Sequence, residues 1–195
     1  IVVAPIFKLL YKYKIYGKEN IPDNGGVFLC ANHTSYKDPI FLGLIQKRQV
    51  WFMAKKELFE NKFLAWIIKK LGAFPVERAG GIQAIKRGIE IINGGNVVGI
   101  FPEGKRSKSG ELLNPKPGII MLAAETKAPI VPVDIIGSDG KPPRIFRKTI
   151  IRVGKPLKYD DLGLEEVTNS GMRKASRIVM DKIRGLREET LNEEK

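Results

Sequence analysis

The 195-residue chain contains one histidine, and a carboxylate follows it within Asn32-His33-Thr34-Ser35-Tyr36-Lys37-Asp38-Pro39. Imidazole is the side chain whose ordinary pKa lets it take and return a proton near neutrality. As a general base His33 would accept the proton of a reacting hydroxyl, and Asp38 would fix its tautomer and orientation. In a helix this spacing sets the two side chains about 140° apart, and in a strand it sends them to opposite faces. They meet only if the chain turns between them. Pro39 disfavours helical geometry at Asp38 and suits the first position of a helix that Asp38 would cap. The stretch therefore reads as strand, tight turn, helix start. Taken alone, it describes a turn histidine beside a capping aspartate more readily than a catalytic pair.

No side chain stands out as a nucleophile. Cys30 lies on the preceding strand, on the face opposite to His33, and reads as a small core residue. Ser35 is inside the turn itself, and Ser138 sits in Gly-Ser-Asp-Gly rather than in a nucleophile elbow. The hydroxyl to be activated would then belong to the substrate. Gly99-Ile100-Phe101-Pro102-Glu103-Gly104-Lys105 imitates a phosphate-binding loop, but Arg106 stands where magnesium needs Ser or Thr. Pro102 removes an amide and Glu103 brings negative charge, so ATP hydrolysis is excluded. What remains is Glu103, Lys105, Arg106 and Ser107 at a strand end, either a solvated basic turn or part of an anion site. Arg78 offers a guanidinium fork of the kind that suits phosphate. One histidine and one cysteine rule out a zinc site of the usual Cys/His kind, and no metal or cofactor is expected.

The elements that must position these residues follow from patterning. Apolar runs at residues 27–31 and 96–101 read as buried strands, residues 50–54 and 130–136 as further strands, residues 72–76 as a short strand or extended segment, and residues 149–153 as a strand at an edge. Helices are expected over residues 39–45, 57–71, 83–93 and 116–126. A last charged helix is striped by Met172, Ala175, Val179, Ile183 and Leu186, with residues 188–195 as a frayed tail. The alternation predicts one α/β domain over residues 1–195, a largely parallel or mixed sheet flanked by helices. Sites in such sheets form beyond the strand carboxyl ends, where His33, Arg78 and Glu103 all fall.

The formal charge of +13, from 34 basic and 21 acidic residues, asks for an anionic partner. The basic residues do not gather on one long helix and no recognised nucleic-acid module is present, so nucleic acid is not expected. A single cysteine fits a reducing compartment. No window reaches the roughly 18 apolar residues of a membrane span. The chain begins at Ile1 rather than at methionine, so preceding residues are expected, and residues 1–16 read as a possible membrane-interfacial segment. Trp51, Phe52, Phe59, Phe63 and Trp66 are interleaved with Lys55, Lys56, Lys62, Lys69 and Lys70. They suit either a core helix or contact with an anionic membrane or an acyl chain.

Order and combination carry more than any one signal. Asn32-His33 with Asp38, then Gly72, Phe74 and Arg78, then Phe101-Pro102-Glu103-Gly104-Lys105-Arg106-Ser107, then Ile130-Val131-Pro132-Val133 form four successive blocks. In them the chain resembles the glycerolipid acyltransferase family that includes the 1-acyl-glycerol-3-phosphate acyltransferases. Lys105 stands where many members carry Thr. The resemblance implies the glycerol-3-phosphate acyltransferase-like fold and transfer of a fatty acyl group from acyl-CoA or acyl carrier protein to lysophosphatidate, giving phosphatidic acid. It implies His33 as base, Asp38 as its orienter, Arg78, Lys105 and Arg106 on the phosphate, and Glu103 and Gly104 shaping the acceptor site. It also implies a peripheral or monotopic place on the cytoplasmic face of a membrane. Glycerol 3-phosphate or another lysolipid is the alternative acceptor, and a non-catalytic basic lipid- or nucleic-acid-binding protein the alternative of a different class.

Overall fold

The structure is a computed structural model that describes residues 3–76, 81–164 and 166–194. The chain opens with α1 (Val3–Tyr11), β1 (Lys14–Tyr16), β2 (Val27–Ala31), α2 (Asp38–Leu44), β3 (Val50–Lys55) and α3 (Lys62–Lys70). It continues through β4 (Ala73–Val76), α4 (Gly81–Asn93), β5 (Val97–Ile100), α5 (Gly118–Thr126), β6 (Ile130–Gly137), β7 (Thr149–Val153) and α6 (Asn169–Glu193). The strands form a seven-stranded sheet in the order β1-β7-β6-β2-β5-β3-β4. Every pairing is parallel except β6 with β7.

β2 sits at the middle because all five of its residues are apolar and can be buried on both faces. Alternation then sorts its side chains. Phe28 and Cys30 enter the layer under α4, α5 and α6, with Ile91, Ile120, Val179 and Ile183. Val27, Leu29 and Ala31 enter the opposite layer under α1 and α2, with Tyr11, Phe41 and Leu42. Full burial of one such large side chain is worth about 1.5–3 kcal/mol, so these two layers dominate the stability. Cys30 is a core residue as expected, fully buried, and burial raises its thiol pKa, with the Glu103 charge adding to the rise. The α/β architecture with a mixed, largely parallel sheet stands as read from the sequence.

Several boundaries differ. Residues 149–153 are not at an edge, because β1 pairs with β7 on its outer side, Lys14 to Ile150 through Tyr16 to Arg152. Residues 14–16 thus belong to the sheet rather than to an interfacial segment. Gly17 permits the close return: its φ is 71° and a Cβ there would lie 2.1 Å from the Val153 carbonyl oxygen. The helix expected over residues 57–71 is split. A 3₁₀ turn covers Lys56–Phe59, and Asn61 restarts the chain as α3 by accepting a bond from Leu64 N–H at 3.0 Å. The tail at residues 188–195 does not fray from residue 188. α6 runs to Glu193 with Thr190 fully buried, and Arg152 donates to Thr190 Oγ1 at 3.1 Å and pairs with Glu193, while Lys148 pairs with Glu194.

α3 is a surface helix. Phe63 is 73% exposed and Trp66 60%, and only Ala65 is buried, which removes the core-helix reading for this segment. Phe52 is the opposite case. It is buried on β3, stacked parallel to Phe101, and so cannot touch a membrane. Trp51 is half-buried against the α4–α6 layer.

The Phe52 ring occupies the space above Gly99, its register partner on β5, where a Cβ would meet Phe52 Cε1 at 2.2 Å. Overpacking of this kind costs about 1–3 kcal/mol. Gly99→Ala is expected to lower the urea unfolding midpoint accordingly, and Gly99→Ala with Phe52→Leu to recover part of the loss. An unchanged midpoint in Gly99→Ala would mean that the Phe52 ring is free to move.

Candidate active site

The site begins where β2 runs out. Beyond Ala31 the backbone leaves the sheet ladder while still buried, so side chains must supply its partners. Asn32 is fully buried and clamps β6: its Oδ1 accepts from Ile135 N–H at 2.7 Å and its Nδ2 donates to Ile135 O at 3.0 Å. His33 N–H donates to Glu103 Oε1 at 2.9 Å, and His33 O accepts from Ser107 N–H at 2.7 Å. The end of β2 and the loop after β5 are thereby tied on both sides of His33.

Asp38 closes the turn. One oxygen, Oδ2, accepts from Thr34 N–H and Ser35 N–H at 2.7 Å each and lies 2.8 Å from His33 Nδ1. The helix cap expected of Asp38 falls instead to Lys37; Asp38 is the first residue of α2 and Pro39 the second. Its carboxylate reaches backward to the turn amides rather than forward to helix amides, and so is free to bind the imidazole. A carboxylate is acceptor-only, which puts the proton on Nδ1 and leaves Nε2 with a lone pair. The ring stacks on Phe101, centroids 4.0 Å apart and planes 18° from parallel. The side chain is 17% exposed, so it is fixed on one side and open on the other.

The loop after β5 brings its residues to the same place. Glu103 is buried, and its second oxygen accepts from Leu113 N–H at 3.2 Å. Burial raises its pKa, against the pull of the His33 and Leu113 amides and of the His33 and Arg187 charges. Gly104 has φ 66°, a left-handed conformation suited to glycine. Lys105 and Arg106 are exposed, with the Arg106 guanidinium 3.5 Å from the Tyr36 ring centroid, and Ser107 is buried. His33, Asp38 and the Glu103–Ser107 loop therefore converge. Arg78 lies outside the described residues. Phe59 is half-buried in a separate cleft of about 530 Å³ at the ends of β3 and β4, with Lys56, Phe74 and Arg87. Among the described residues no cluster of three or more His, Cys, Asp or Glu is placed to hold a metal ion.

Two site residues escaped the sequence reading. Asp134, on β6, is 1% exposed, and Arg187 of α6 donates to its Oδ1 through Nε at 3.2 Å and Nη2 at 2.9 Å. Arg187 also donates through Nη1 to Gly110 O at 2.8 Å, bracing the loop that carries Glu103 and Ser107. An aspartate in the apolar run of β6 was the available signal, because a buried charge requires a partner. Burial pushes the Asp134 carboxyl up to about 6, against Arg187 and Arg152, with the Asp38 charge adding to the rise.

The family described as Acyltransferase matches residues 12–136, well over half of the chain. The chain belongs to the acyltransferase family. It is 40% identical over 153 residues to the 1-acyl-sn-glycerol-3-phosphate acyltransferase of Bacillus subtilis (strain 168), covering 76% of this chain and 75% of that one. The enzyme of that name from Streptococcus pneumoniae (strain ATCC BAA-255 / R6) is 27% identical over 195 residues, 97% of this chain and 72% of its own. The chain spans only 38% of the chloroplastic relative BAT2 of Brassica napus, at 34% identity. The crystal structure of the 1-acyl-sn-glycerophosphate (LPA) acyltransferase PlsC from Thermotoga maritima superposes with a TM-score of 0.69 at 26% identity, over 90% of this chain and 71% of that one. The acyltransferase match contains the His33 turn, β5 and its loop, and β6 as far as the Asn32 clamp.

Asp134 holds its proton in the folded chain up to about pH 6, whereas the unfolded carboxyl titrates near 3.8. The folded chain therefore binds more protons between those values, and this group's contribution to stability falls as pH rises across them. Arg187→Met removes the partner of the charged form. Breaking a buried pair costs about 3–5 kcal/mol, so the variant is expected to lose that order of stability at pH 7.5 and less at pH 5. Denaturant titrations at both pH values check it; a pH-independent loss would point to packing alone.

Proposed function

We propose that this acyltransferase moves a fatty acyl group from a thioester, acyl-CoA or acyl carrier protein, to the free hydroxyl of 1-acyl-glycerol 3-phosphate, giving phosphatidic acid. The observation that carries the reading is the His33 Nδ1–Asp38 Oδ2 contact at 2.8 Å, at a turn inside the residues that the family match covers. The relatives named for this reaction support the acceptor. His33 Nε2 takes the proton of the acceptor hydroxyl as its oxygen attacks the thioester carbonyl. The tetrahedral adduct collapses, the carbon–sulfur bond breaks, and the imidazolium returns its proton to the departing thiolate. Asp38 stabilises the imidazolium, and the buried Glu103 carboxylate adds its field. Lys105 and Arg106, with Arg78 by its place in the second block, bind the acceptor phosphate.

The reaction takes place at a membrane surface. Tyr36, Leu58, Phe63, Trp66 and Ile82 are exposed apolar side chains, and all belong to segments that follow the carboxyl ends of β2, β3 and β4. Lys62, Lys69 and Lys70 flank them on α3. No described helix is long and apolar enough to cross a membrane. This face supports interfacial seating on an anionic bilayer, each basic residue contributing about 1 kcal/mol near the surface.

Thiol release from acyl-CoA or acyl carrier protein in the presence of lysophosphatidate tests the reaction. Loss of a general base costs about 10²–10⁴-fold, so His33→Ala is expected to fall by that factor in kcat while staying folded; parental activity in His33→Ala would remove the mechanism. Flotation with liposomes tests the surface. Phe63→Ala/Trp66→Ala is expected to float less than the parent, and the parent to float better on anionic vesicles and worse in high salt. Equal flotation on neutral and anionic vesicles would refute the electrostatic part.

A further inference from the structure

Gly104 is shaped by more than its backbone angle. A Cβ built on it would lie 2.8 Å from Lys116 Cδ, 2.9 Å from Cε and 3.1 Å from Nζ. The outer half of the Lys116 side chain therefore lies across the bare α-carbon of Gly104. Its backbone is fixed there: Lys116 N–H donates to Pro102 O at 2.8 Å, and Lys116 O accepts from Ser176 Oγ on α6 at 3.4 Å. The ammonium itself has no hydrogen-bond or carboxylate partner among the described residues. Lysine is mostly an exposed residue whose ammonium is served by water, and Lys116 is exposed. This one is held by its stem, with its charge left over.

The place it occupies is specific. Gly104 adjoins Glu103, whose carboxylate grips His33 N–H. Lys116 and Gly104 line a recess of about 130 Å³ together with Phe101, the ring on which His33 stacks. Lys116 is the one charged residue among those lining it; Met53, Ile85, Ile100, Ile119 and Leu122 supply apolar walls. The Arg106 guanidinium, on the same loop, lies over the Tyr36 ring rather than among the residues of this recess. In lysophosphatidate the free hydroxyl and the phosphate are on neighbouring glycerol carbons, so a hydroxyl at His33 puts the phosphate within one glycerol's reach of it. Thioester donors also carry phosphate, on the pantetheine arm.

We infer that Lys116 binds a substrate phosphate, its ammonium steered across Gly104 toward the His33 turn. The inference rests on the acyltransferase reading given above and adds a residue to the phosphate site. It also gives Gly104 a second reason to be glycine: any side chain there would displace the lysine stem.

Lys116→Met keeps the stem and removes the charge. A hydrogen bond to a charged group is worth enough to change binding about ten- to a hundredfold. The KM for lysophosphatidate is expected to rise by that factor with kcat and the thermal midpoint little changed, and Lys116→Arg to restore most of it. Monoacylglycerol, which lacks phosphate, should be used equally well or poorly by parent and variant. If the donor KM rises instead, the phosphate bound is the donor's. Unchanged KM for both substrates, or a loss in kcat that follows a fallen midpoint, would overturn the assignment. Thermal shift with glycerol 3-phosphate gives a readout apart from turnover: the parent is expected to be stabilised and Lys116→Met not. A parent that fails to acylate lysophosphatidate would refute the function, whereas a parent that does so beside an indifferent Lys116→Met would refute only the role of Lys116.

Discussion

The molecule depends on how β2 ends. A strand in the middle of a parallel sheet cannot turn back through solvent; it must leave the ladder inside the protein, and each amide and carbonyl it frees needs a partner. Here most of the partners are side chains, with the Ser107 amide serving His33 O. Asn32 takes both polar groups of Ile135, Glu103 takes the His33 amide, and Asp38 takes the amides of Thr34 and Ser35. The single histidine thus sits where the freed backbone groups are gathered, and one of the side chains that serves them, Asp38, also orients the imidazole. Structural need and chemistry use the same atoms, so mutation of Asn32, Asp38 or Glu103 cannot separate folding from positioning without a separate measure of each.

Burial and charge are arranged in opposition. The chain carries a formal +13, yet Asp38, Glu103 and Asp134 all lie buried at one end of the sheet. Arg187, itself mostly buried, serves Asp134 directly and acts through space on Glu103. Lys105 and Arg106 are exposed at the same end, on the loop that carries Glu103. A proton acquired by His33 meets negative charge behind it, while an anionic substrate meets positive charge in front. Reversing the two layers would disfavour both the imidazolium and the substrate.

The sheet, its parallel core and the turn at His33 were legible because they rest on short-range rules: apolar runs, alternation and proline geometry. β1 was not, since Lys14-Ile15-Tyr16 is too short to show a period and owes its strand form to β7. That omission also moved β7 to an edge. The continuation of α6 past Glu188 was hidden for a related reason. A charged tail reads as solvated unless one knows that Arg152 and Lys148, distant in sequence, face it. Asp134 could have been flagged as an acid in an apolar strand, but nothing local names Arg187 as its partner. Asp38 is legible at its turn through Pro39, but the backward reach of its carboxylate to the Thr34 and Ser35 amides is not, because a capping aspartate has the same local sequence.

The orientation of the imidazole has one further determinant that no motif expresses. Gly99 leaves room for the Phe52 ring, Phe52 stacks on Phe101, and Phe101 stacks on His33. This ladder of rings begins in the hydrophobic layer under α2 and ends at the imidazole. Asp38 fixes one point of the imidazole and Phe101 fixes its plane; two constraints of different kind define a direction where either alone would leave rotation about the other. Because the ladder is packed rather than hydrogen-bonded, it transmits volume changes: a methyl group added at Gly99 would act on the plane of the His33 imidazole two rings away. Precision at His33 is therefore a property of the core as much as of the loop that holds it.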